Sequence, residues 1–199
     1  MAALWFESAG STLRAQGVFR QAASVDDTQI NGDDRERTYT WRDPAPFLAA
    51  MPTTPGLALL EQMMRGEIPE PPIAKTMGFL SFQARAGTVT VTLRPAEHHL
   101  NPLGTVHGGV ICTLLDTVCG CAVHTTLDAG TGYTSLDLNT RFMRPVTAAT
   151  GLIRCEGEVI ARGSRTATAQ ARLVDTNDRL LAHATSTCLL FPIGSTRPA

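Results

Sequence analysis

Hydrophobic and polar residues alternate with two different periods in the second half of this chain. Between residues 88 and 94, valine and leucine alternate with threonine and arginine, and this period of two predicts a β-strand with one buried face. Residues 77–85 precede it, and the Ala86-Gly87 pair between the two segments predicts a hairpin. The same reasoning predicts four more strands, at residues 132–143, 151–160, 166–175 and 179–191.

A helical period separates the first strand pair from the other four. Between residues 106 and 126, apolar residues recur at intervals of three and four, which predicts a helix. The apolar positions are Val110, Ile111, Leu114, Leu115, Val118, Cys119, Ala122 and Val123. Asp128-Ala-Gly130 ends this pattern. This order predicts an α+β fold in which one antiparallel sheet of five or six strands wraps around one long central helix. One helix covers only part of such a sheet, so we expect a second copy of the chain to cover the rest.

The N-terminal part of the chain does not follow either period clearly. We expect residues 1–37 to form a poorly ordered extension because they mix small and polar residues without a sustained pattern. Residues 38–71 predict a short extended piece, a helix at 55–66 and a proline-rich connector. The main domain is then expected at residues 72–192, followed by a tail at 193–199.

The composition is ordinary for a globular protein, and it argues against nucleic acid and membrane as partners. Of the 199 residues 43% are hydrophobic and 18% charged, and the formal net charge of −1 gives no electrostatic basis for binding nucleic acid or an anionic membrane. No apolar run is long enough to insert into a bilayer, and the N-terminal residues lack the basic leader of a secretory signal. The five cysteines show no CxxC spacing, so we expect reduced structural thiols and a cytoplasmic protein, with a reactive thiol as the alternative.

The candidate chemistry lies around the start of the predicted helix. Residues 101–109 form a polar, glycine-rich turn, and the first amides of the following helix have no partners within it, so they can stabilise a developing negative charge. Asp116 comes in the middle of the apolar helix, where a carboxylate costs free energy unless it is used. Amides and a carboxylate in this order are typical of an ester- or thioester-cleaving site. The alternative is an Asp116 that faces solvent beside Thr113, Thr117 and Gly120.

Together, these residues resemble the hotdog-fold acyl-CoA thioesterases of the PaaI type over residues 72–192. The resemblance is carried by Asn101, by His107-Gly108-Gly109, by Asp116 nine residues after the histidine, and by Ser135 in the segment 134–139. It implies the hotdog fold and hydrolysis of acyl-CoA without a metal or organic cofactor. It also implies a homodimer, and dimers of this family often pair into homotetramers.

The resemblance also implies a role for each residue of the pattern, and each has a simpler structural alternative. Asp116 would act as general base on water or as the nucleophile, and Asn101 would help to hold the thioester carbonyl. The Gly108 amide would donate to the oxyanion, Gly109 would allow close approach, and His107 would orient Asn101 or the substrate. The alternatives are that Asn101 closes a turn, that His107 caps the helix, and that the glycines only form a tight turn.

Ser135 matches the family's water-positioning serine or threonine, and its neighbour Thr134 is the other candidate for that role. In a strand these two side chains lie on opposite faces, so only one of them can serve a given site. Without the resemblance, Ser135 would be interpreted simply as a small polar residue in a strand.

The candidates for binding the phosphates of coenzyme A are Arg141, Arg144, Arg162 and Arg165. A guanidinium suits a phosphate because it donates two parallel hydrogen bonds. The histidines at 98, 99 and 107 lack the spacing of a common zinc site, so no metal is expected. His124 is interpreted as structural. Two other functions stay open: an acyl-CoA-binding sensor without catalysis, and a hydratase, whose His and Asp pair is not recognisable. The sequence does not give the acyl group, and phenylacetyl-type, hydroxybenzoyl-type and medium-chain aliphatic thioesters all stay open.

Helical geometry predicts that the site is shared between subunits. His107 and Asp116 are nine residues apart, which places them about 13 Å apart along the axis and roughly half a turn apart in direction. One helix therefore cannot easily direct both at one carbonyl group. Two antiparallel helices around a twofold axis can, because the turn of one chain then faces Asp116 of the other.

Overall fold

The computed structural model describes residues 34–193, so most of the predicted extension at 1–37 and nearly all of the tail at 193–199 lie outside the described residues. Within this range there are three short helices, α1 (Ala45–Ala50), α2 (Gly56–Met64) and α3 (Pro72–Met77), and one long helix, α4 (Gly108–His124). The strands are β1 (Phe79–Arg85), β2 (Thr88–Leu93), β3 (Thr131–Ser135), β4 (Asn139–Phe142), β5 (Ile153–Arg162), β6 (Thr166–Val174) and β7 (Leu180–Pro192). None of the helices between residues 34 and 193 has the length and apolarity to cross a bilayer.

The strands form one antiparallel sheet in the order β1-β2-β5-β6-β7-β3, and β4 also pairs with β7. This confirms the predicted α+β architecture of one sheet and one long helix. The single strand predicted at 132–143 is wrong, because it is divided into β3 and β4. Ser135 at the end of β3 pairs with Cys188, and Asn139 at the start of β4 pairs with Thr185. The segment from β3 to β4 therefore advances four residues while β7 advances three. The extra residue is a bulge.

Asp137 explains why the ladder is interrupted there. Its carboxylate accepts the amide hydrogen of Thr187 at 3.0 Å, and its carbonyl accepts the Ser186 hydroxyl at 2.7 Å. The Leu136 amide still donates to the carbonyl oxygen of Thr187 at 2.8 Å, and at Asp137 bonds that involve side chains take the place of the regular ladder. The consequence is a loop at the sheet edge, directly after Ser135.

Helix α4 packs across the sheet and forms the centre of the core. Leu114, Leu115 and Val118 are fully buried against the apolar faces of β2, β5 and β6. Gly157 in β5 allows the close approach, because a Cβ atom there would overlap the backbone carbonyl group of Val118. The helix is thus fixed at one height above the sheet, which in turn fixes the position of Asp116, two residues before Val118 in α4.

The N-terminal helices pack over the C-terminal end of α4. The Gly56 amide donates to the carbonyl oxygen of Leu127 at 2.9 Å, so the start of α2 is hydrogen-bonded to the segment that follows α4. Arg37 donates to the carbonyl oxygens of Thr76 at 2.6 Å and Lys75 at 2.8 Å, and thereby caps the end of α3. These contacts hold residues 34–77 against the core as a cover.

Helix α2 confirms the helix predicted at 55–66, and Gly66 follows it with a φ of 75°. The helix predicted at 106–126 is α4, two residues shorter at each end. Helices α1 and α3 were not predicted. Each begins beside a proline. Pro44 was assigned to the extended piece and Pro71 to the connector, although proline is also favoured in the first turn of a helix.

Candidate active site

The turn before α4 is closed by the side chain of Asn101. Its Oδ1 accepts the amide hydrogens of Leu103 at 2.9 Å and Thr105 at 3.2 Å, and its amide group donates to the Thr105 hydroxyl at 2.9 Å. Gly104, with a φ of 74°, completes the turn. In the single chain Asn101 therefore has the turn-closing contacts that the sequence left as an alternative.

His107 caps the helix that follows this turn. Its Nδ1 accepts the amide hydrogen of Gly109 at 2.9 Å, so this exposed amide already has a hydrogen-bond partner. The Gly108 amide remains among the first amides of α4, which have no partner inside the helix. Gly108 lines an open pocket with Phe142, Met143 and Arg144, and this pocket does not include Asp116.

A second open pocket contains the carboxylate. Asp116 is half-buried, and the Ser135 hydroxyl donates to its Oδ1 at 2.8 Å. The expectation of a buried Asp116 is thus only partly met, since in one chain this face of α4 opens to solvent. The pocket has a volume of about 350 Å³ and is lined by Cys112, Thr113, Asp116, Ser135, Leu136, Asp137 and Leu138. Thr134 lies on the opposite face of β3 and is exposed.

The pocket contains two carboxylates with different surroundings. The Oδ1 of Asp137 is hydrogen-bonded to the backbone of β7, so this carboxylate supports the loop. Asp116 has the Ser135 hydroxyl as its partner and faces the open volume. A carboxylate oriented by a neutral hydroxyl, in contact with solvent, can accept a proton from water or attack an electrophilic carbon.

The thiols near the site are held in their neutral form. Burial raises the pKa of Cys119 and of Cys121 to about 12, and it also raises the pKa of Cys188. All five cysteines are free. Since the thiolate is the reactive form, these three residues are poor nucleophiles near neutral pH.

The predicted arginines lie at different ends of α4. Arg144 lines the pocket of Gly108 and donates to the carbonyl oxygen of Leu180 at 2.6 Å. Arg162 lies at the other end, where it contacts the carbonyl oxygen of Thr126 and the carboxylate of Asp128. Arg165 is exposed in the turn between β5 and β6, and Arg141 bonds to Asn139. Among residues 34–193 there is no cluster of three metal-ligating side chains.

A third cavity was missed by the sequence analysis. It has a volume of about 150 Å³ and lies beneath the N-terminal helices, between Phe47, Met63 and Phe79 on one side and Thr117, His124 and Tyr133 on the other. These residues come from five elements, α1, α2, β1, α4 and β3. The signal that pointed to it was the spacing of Thr117, Cys121 and His124, which puts three less apolar residues on one face of α4.

Comparison with known proteins connects this geometry to a family. The family profile of the thioesterase superfamily matches residues 103–182, a range that includes α4 with Asp116 and β3 with Ser135. Human acyl-coenzyme A thioesterase 13 is 36% identical to this chain over 62 residues, which are 31% of this chain and 44% of the human protein. The chain thus matches less than half the length of that relative.

Solved structures share the fold over a larger part of the chain. The phenylacetic acid degradation-related protein of Ralstonia eutropha is 34% identical, with a TM-score of 0.59, and the match covers 65% of this chain and 97% of that protein. A thioesterase from Haemophilus influenzae superposes with a TM-score of 0.61 at 20% identity, covering 74% of this chain and 99% of that protein. These matches confirm the hotdog fold.

Proposed function

Since the chain belongs to the thioesterase superfamily, we propose that it hydrolyses acyl-coenzyme A thioesters to the free acid and coenzyme A. The observation that carries the proposal is the Asp116 carboxylate, oriented by the Ser135 hydroxyl at 2.8 Å in an open pocket. The similarity to human acyl-coenzyme A thioesterase 13 supports coenzyme A as the thiol part of the substrate. Arg144 is the arginine proposed for its phosphates, because it lies beside the Gly108 turn.

The proposed reaction uses Asp116 in one of two ways. As a base, its carboxylate takes a proton from water while the water oxygen bonds to the thioester carbon. As a nucleophile, it bonds to that carbon itself, and water then hydrolyses the mixed anhydride. In both routes the C–S bond breaks, and the coenzyme A thiolate leaves and takes up a proton. The negative charge on the carbonyl oxygen is stabilised by the Gly108 amide and Asn101.

We propose that these two groups come from different subunits. In one chain, Gly108 and Asp116 line different pockets and are eight residues apart on α4, about 12 Å along its axis. Apolar side chains are exposed at both pockets, which favours the proposal that a second subunit covers this surface. Leu136 is 58%, Phe142 55% and Met143 52% exposed. A twofold axis between antiparallel α4 helices would bring the Gly108 turn of one chain to Asp116 of the other.

Replacing Ser135 with alanine is expected to reduce kcat by roughly 10-fold, because Asp116 loses the hydrogen bond that fixes its orientation. Ser135→Thr should retain most of the activity because it keeps a hydroxyl at the same atom. The measurement is release of free thiol from acyl-CoA under saturating substrate. Thr134→Ala is the matched control, since its side chain is on the opposite strand face. If Thr134→Ala caused the larger loss, the roles of the two residues would have to be exchanged.

Subunit complementation tests the shared site. Asn101→Ala and Asp116→Ala chains are each expected to be nearly inactive. When they are unfolded together and refolded at equal amounts, half of the dimers should be mixed, and each mixed dimer has one intact site of two, which gives about a quarter of wild-type activity.

Differently tagged chains allow the mixed dimers to be purified and counted. Mixed dimers that lack activity, or a monomer with full activity, would contradict a site built by two subunits. A wild-type protein that binds acyl-CoA by calorimetry without releasing thiol would instead support the non-catalytic sensor.

A further inference from the structure

We propose that Asp137 and Ser186 are positioning residues for the proposed reaction, and that they act through Ser135. They hold the loop after β3 in the shape that directs the Ser135 hydroxyl at the Asp116 carboxylate. Neither residue makes or breaks a bond of the substrate. This inference rests on the proposed function, because it explains what keeps the carboxylate that carries that function in its orientation.

The loop at residues 136–138 separates the two short strands that pair with β7. Ser135 is the last residue of β3 and pairs with Cys188, so regular pairing fixes it on one side only. Pairing resumes at Asn139, where β4 begins. The direction of the Ser135 side chain therefore depends on how the three residues after it are held.

Two hydrogen bonds at Asp137 hold this loop against β7. The Asp137 carboxylate accepts the amide hydrogen of Thr187 at 3.0 Å, and the Asp137 carbonyl oxygen accepts the Ser186 hydroxyl at 2.7 Å. One bond uses the side chain and the other uses the backbone of the same residue, so together they restrict both its position and its rotation. The Leu136 amide adds a bond to the carbonyl oxygen of Thr187 at 2.8 Å. Asp137 is thus the anchor of the loop.

Ser186 interrupts an apolar row on the inner face of β7. The other buried residues at alternate positions of this face are Ala182, Ala184, Cys188 and Leu190. Ser186 itself is 1% exposed, and a buried hydroxyl costs free energy unless it is hydrogen-bonded. Its bond to the carbonyl oxygen of Asp137 meets this requirement. Alanine would satisfy the packing here, so the serine is explained by the loop that it holds.

Cys188 lies between the loop anchor and Ser135. It is the β7 partner of Ser135, and it follows Ser186 by two residues on the same strand face. Burial raises the pKa of Cys188 while hydrogen bonds from Ser135 and Ser186 lower it, so both hydroxyls lie beside this thiol. The row of side chains from Ser186 to Ser135 ends at Asp116, which accepts the Ser135 hydroxyl at 2.8 Å. The loop anchor and the proposed catalytic carboxylate therefore belong to one connected set of polar groups.

The hydrogen bond between Ser135 and Asp116 tolerates little displacement. Bonds of this type have oxygen–oxygen distances of about 2.5–3.0 Å and weaken steeply when the angle is poor. A shift of about 1 Å at Ser135 would therefore break the 2.8 Å contact. By preventing such a shift, Asp137 and Ser186 would affect the proposed chemical step and leave the binding of the substrate unchanged.

Two variants remove the anchor, and a third keeps it. Ser186→Ala and Asp137→Ala should each lower kcat by roughly 5-fold and change KM by less than about 2-fold, because only the orientation of Asp116 is lost. Asp137→Asn keeps an oxygen that accepts the Thr187 amide hydrogen, so it should retain at least about half of the wild-type kcat. If Asp137→Asn lost as much activity as Asp116→Asn, Asp137 would be a reacting carboxylate and the proposal would be overturned. Ser186→Ala carries the test alone if Asp137→Ala does not fold.

A double-mutant cycle tests whether the anchor acts through Ser135. In a Ser135→Ala background, Ser186→Ala should change kcat by less than about 2-fold, because the contact that it protects is already absent. A loss by the same factor in both backgrounds would mean that Ser186 acts elsewhere, which contradicts the proposal. The control is Ser81→Ala, which removes a hydroxyl bonded to Thr92 at 2.6 Å near the other edge of the sheet and should leave kcat unchanged.

Crystal structures of the wild type and Ser186→Ala give a measurement that needs no turnover. In the variant the distance from Ser135 Oγ to Asp116 Oδ1 should exceed about 3.5 Å, and an unchanged distance would overturn the proposal. If the distance increased but the wild type released no thiol from any acyl-CoA, the proposed function would fail while the positioning of Ser135 stood. If the wild type hydrolysed acyl-CoA and Ser186→Ala changed neither kcat nor this distance, the positioning role would be rejected and the proposed function would stand.

Discussion

Replacing Asp116 with asparagine should lower kcat by at least roughly 100-fold, which is the range expected when a general base or nucleophile is lost. The amide keeps the size of the side chain and can still accept the hydrogen bond from Ser135, so the pocket should remain intact. Its nitrogen and oxygen can neither take a proton from water nor attack the thioester carbon at a useful rate. The measurement is thiol release at saturating acyl-CoA.

The control is a second aspartate-to-asparagine change at an exposed position. Asp178 lies in the turn between β6 and β7 with a φ of 57°, a conformation that asparagine also adopts readily. Asp178→Asn should retain wild-type kcat, and both variants should unfold cooperatively near the wild-type denaturant concentration. A folded Asp116→Asn protein with near wild-type turnover would remove Asp116 from the mechanism.

Acidification should destabilise the folded protein by about 3 kcal/mol between pH 7 and pH 4 through His124 alone. Burial depresses the pKa of this group from 6.5 to about 4 in the folded state, while the unfolded chain titrates near 6.5. Within this window the unfolded state binds the proton and the folded state does not. The free energy of unfolding is therefore highest above pH 6.5 and falls as the pH decreases toward 4.

Urea unfolding of the wild type and His124→Phe at pH 7, 6, 5 and 4 isolates this contribution, because the other titrating groups are common to both proteins. The difference in free energy of unfolding should change by about 2 kcal/mol between pH 7 and 5, in the direction that favours the phenylalanine variant at low pH. His183→Gln, which removes a histidine from an exposed position, is the control. Parallel pH profiles for wild type and His124→Phe would contradict the depressed pKa.

The sequence predicted those parts of the fold that depend on the hydrophobic period or the turn residues of a single short segment. Strict alternation at 88–94 and helical spacing at 106–126 gave β2 and α4, and Ala86-Gly87 gave the hairpin, with Gly87 at a φ of 77°. The division of residues 132–143 could not be predicted, because it depends on hydrogen bonds from Asp137 to β7, about fifty residues away. Periodicity describes which face a residue occupies and does not describe such bonds.

Prediction of the site met a similar limit. The pairing of Ser135 with Asp116 joins two residues 19 positions apart, and the resemblance to a family, rather than the pattern of residues, brought them into one hypothesis. His124 was interpreted as structural because a lone histidine in an apolar helix does not by itself indicate a binding site, and the spacing of Thr117, Cys121 and His124 on one face was not taken into account. Its cavity is formed with Phe47, Met63 and Tyr133, and their proximity follows only from the packing of α1 and α2 over the end of α4.

The cover formed by α1, α2 and α3 comes from one continuous stretch, residues 45–77, which ends before the first strand of the sheet. The residues proposed for bond cleavage all follow it in the chain. Substitutions in this stretch can therefore change the shape of the cavity beneath it without changing any residue of the proposed catalytic site. Residues 45–77 can therefore be exchanged as one segment in protein engineering, provided that the Gly56 contact to the end of α4 is preserved.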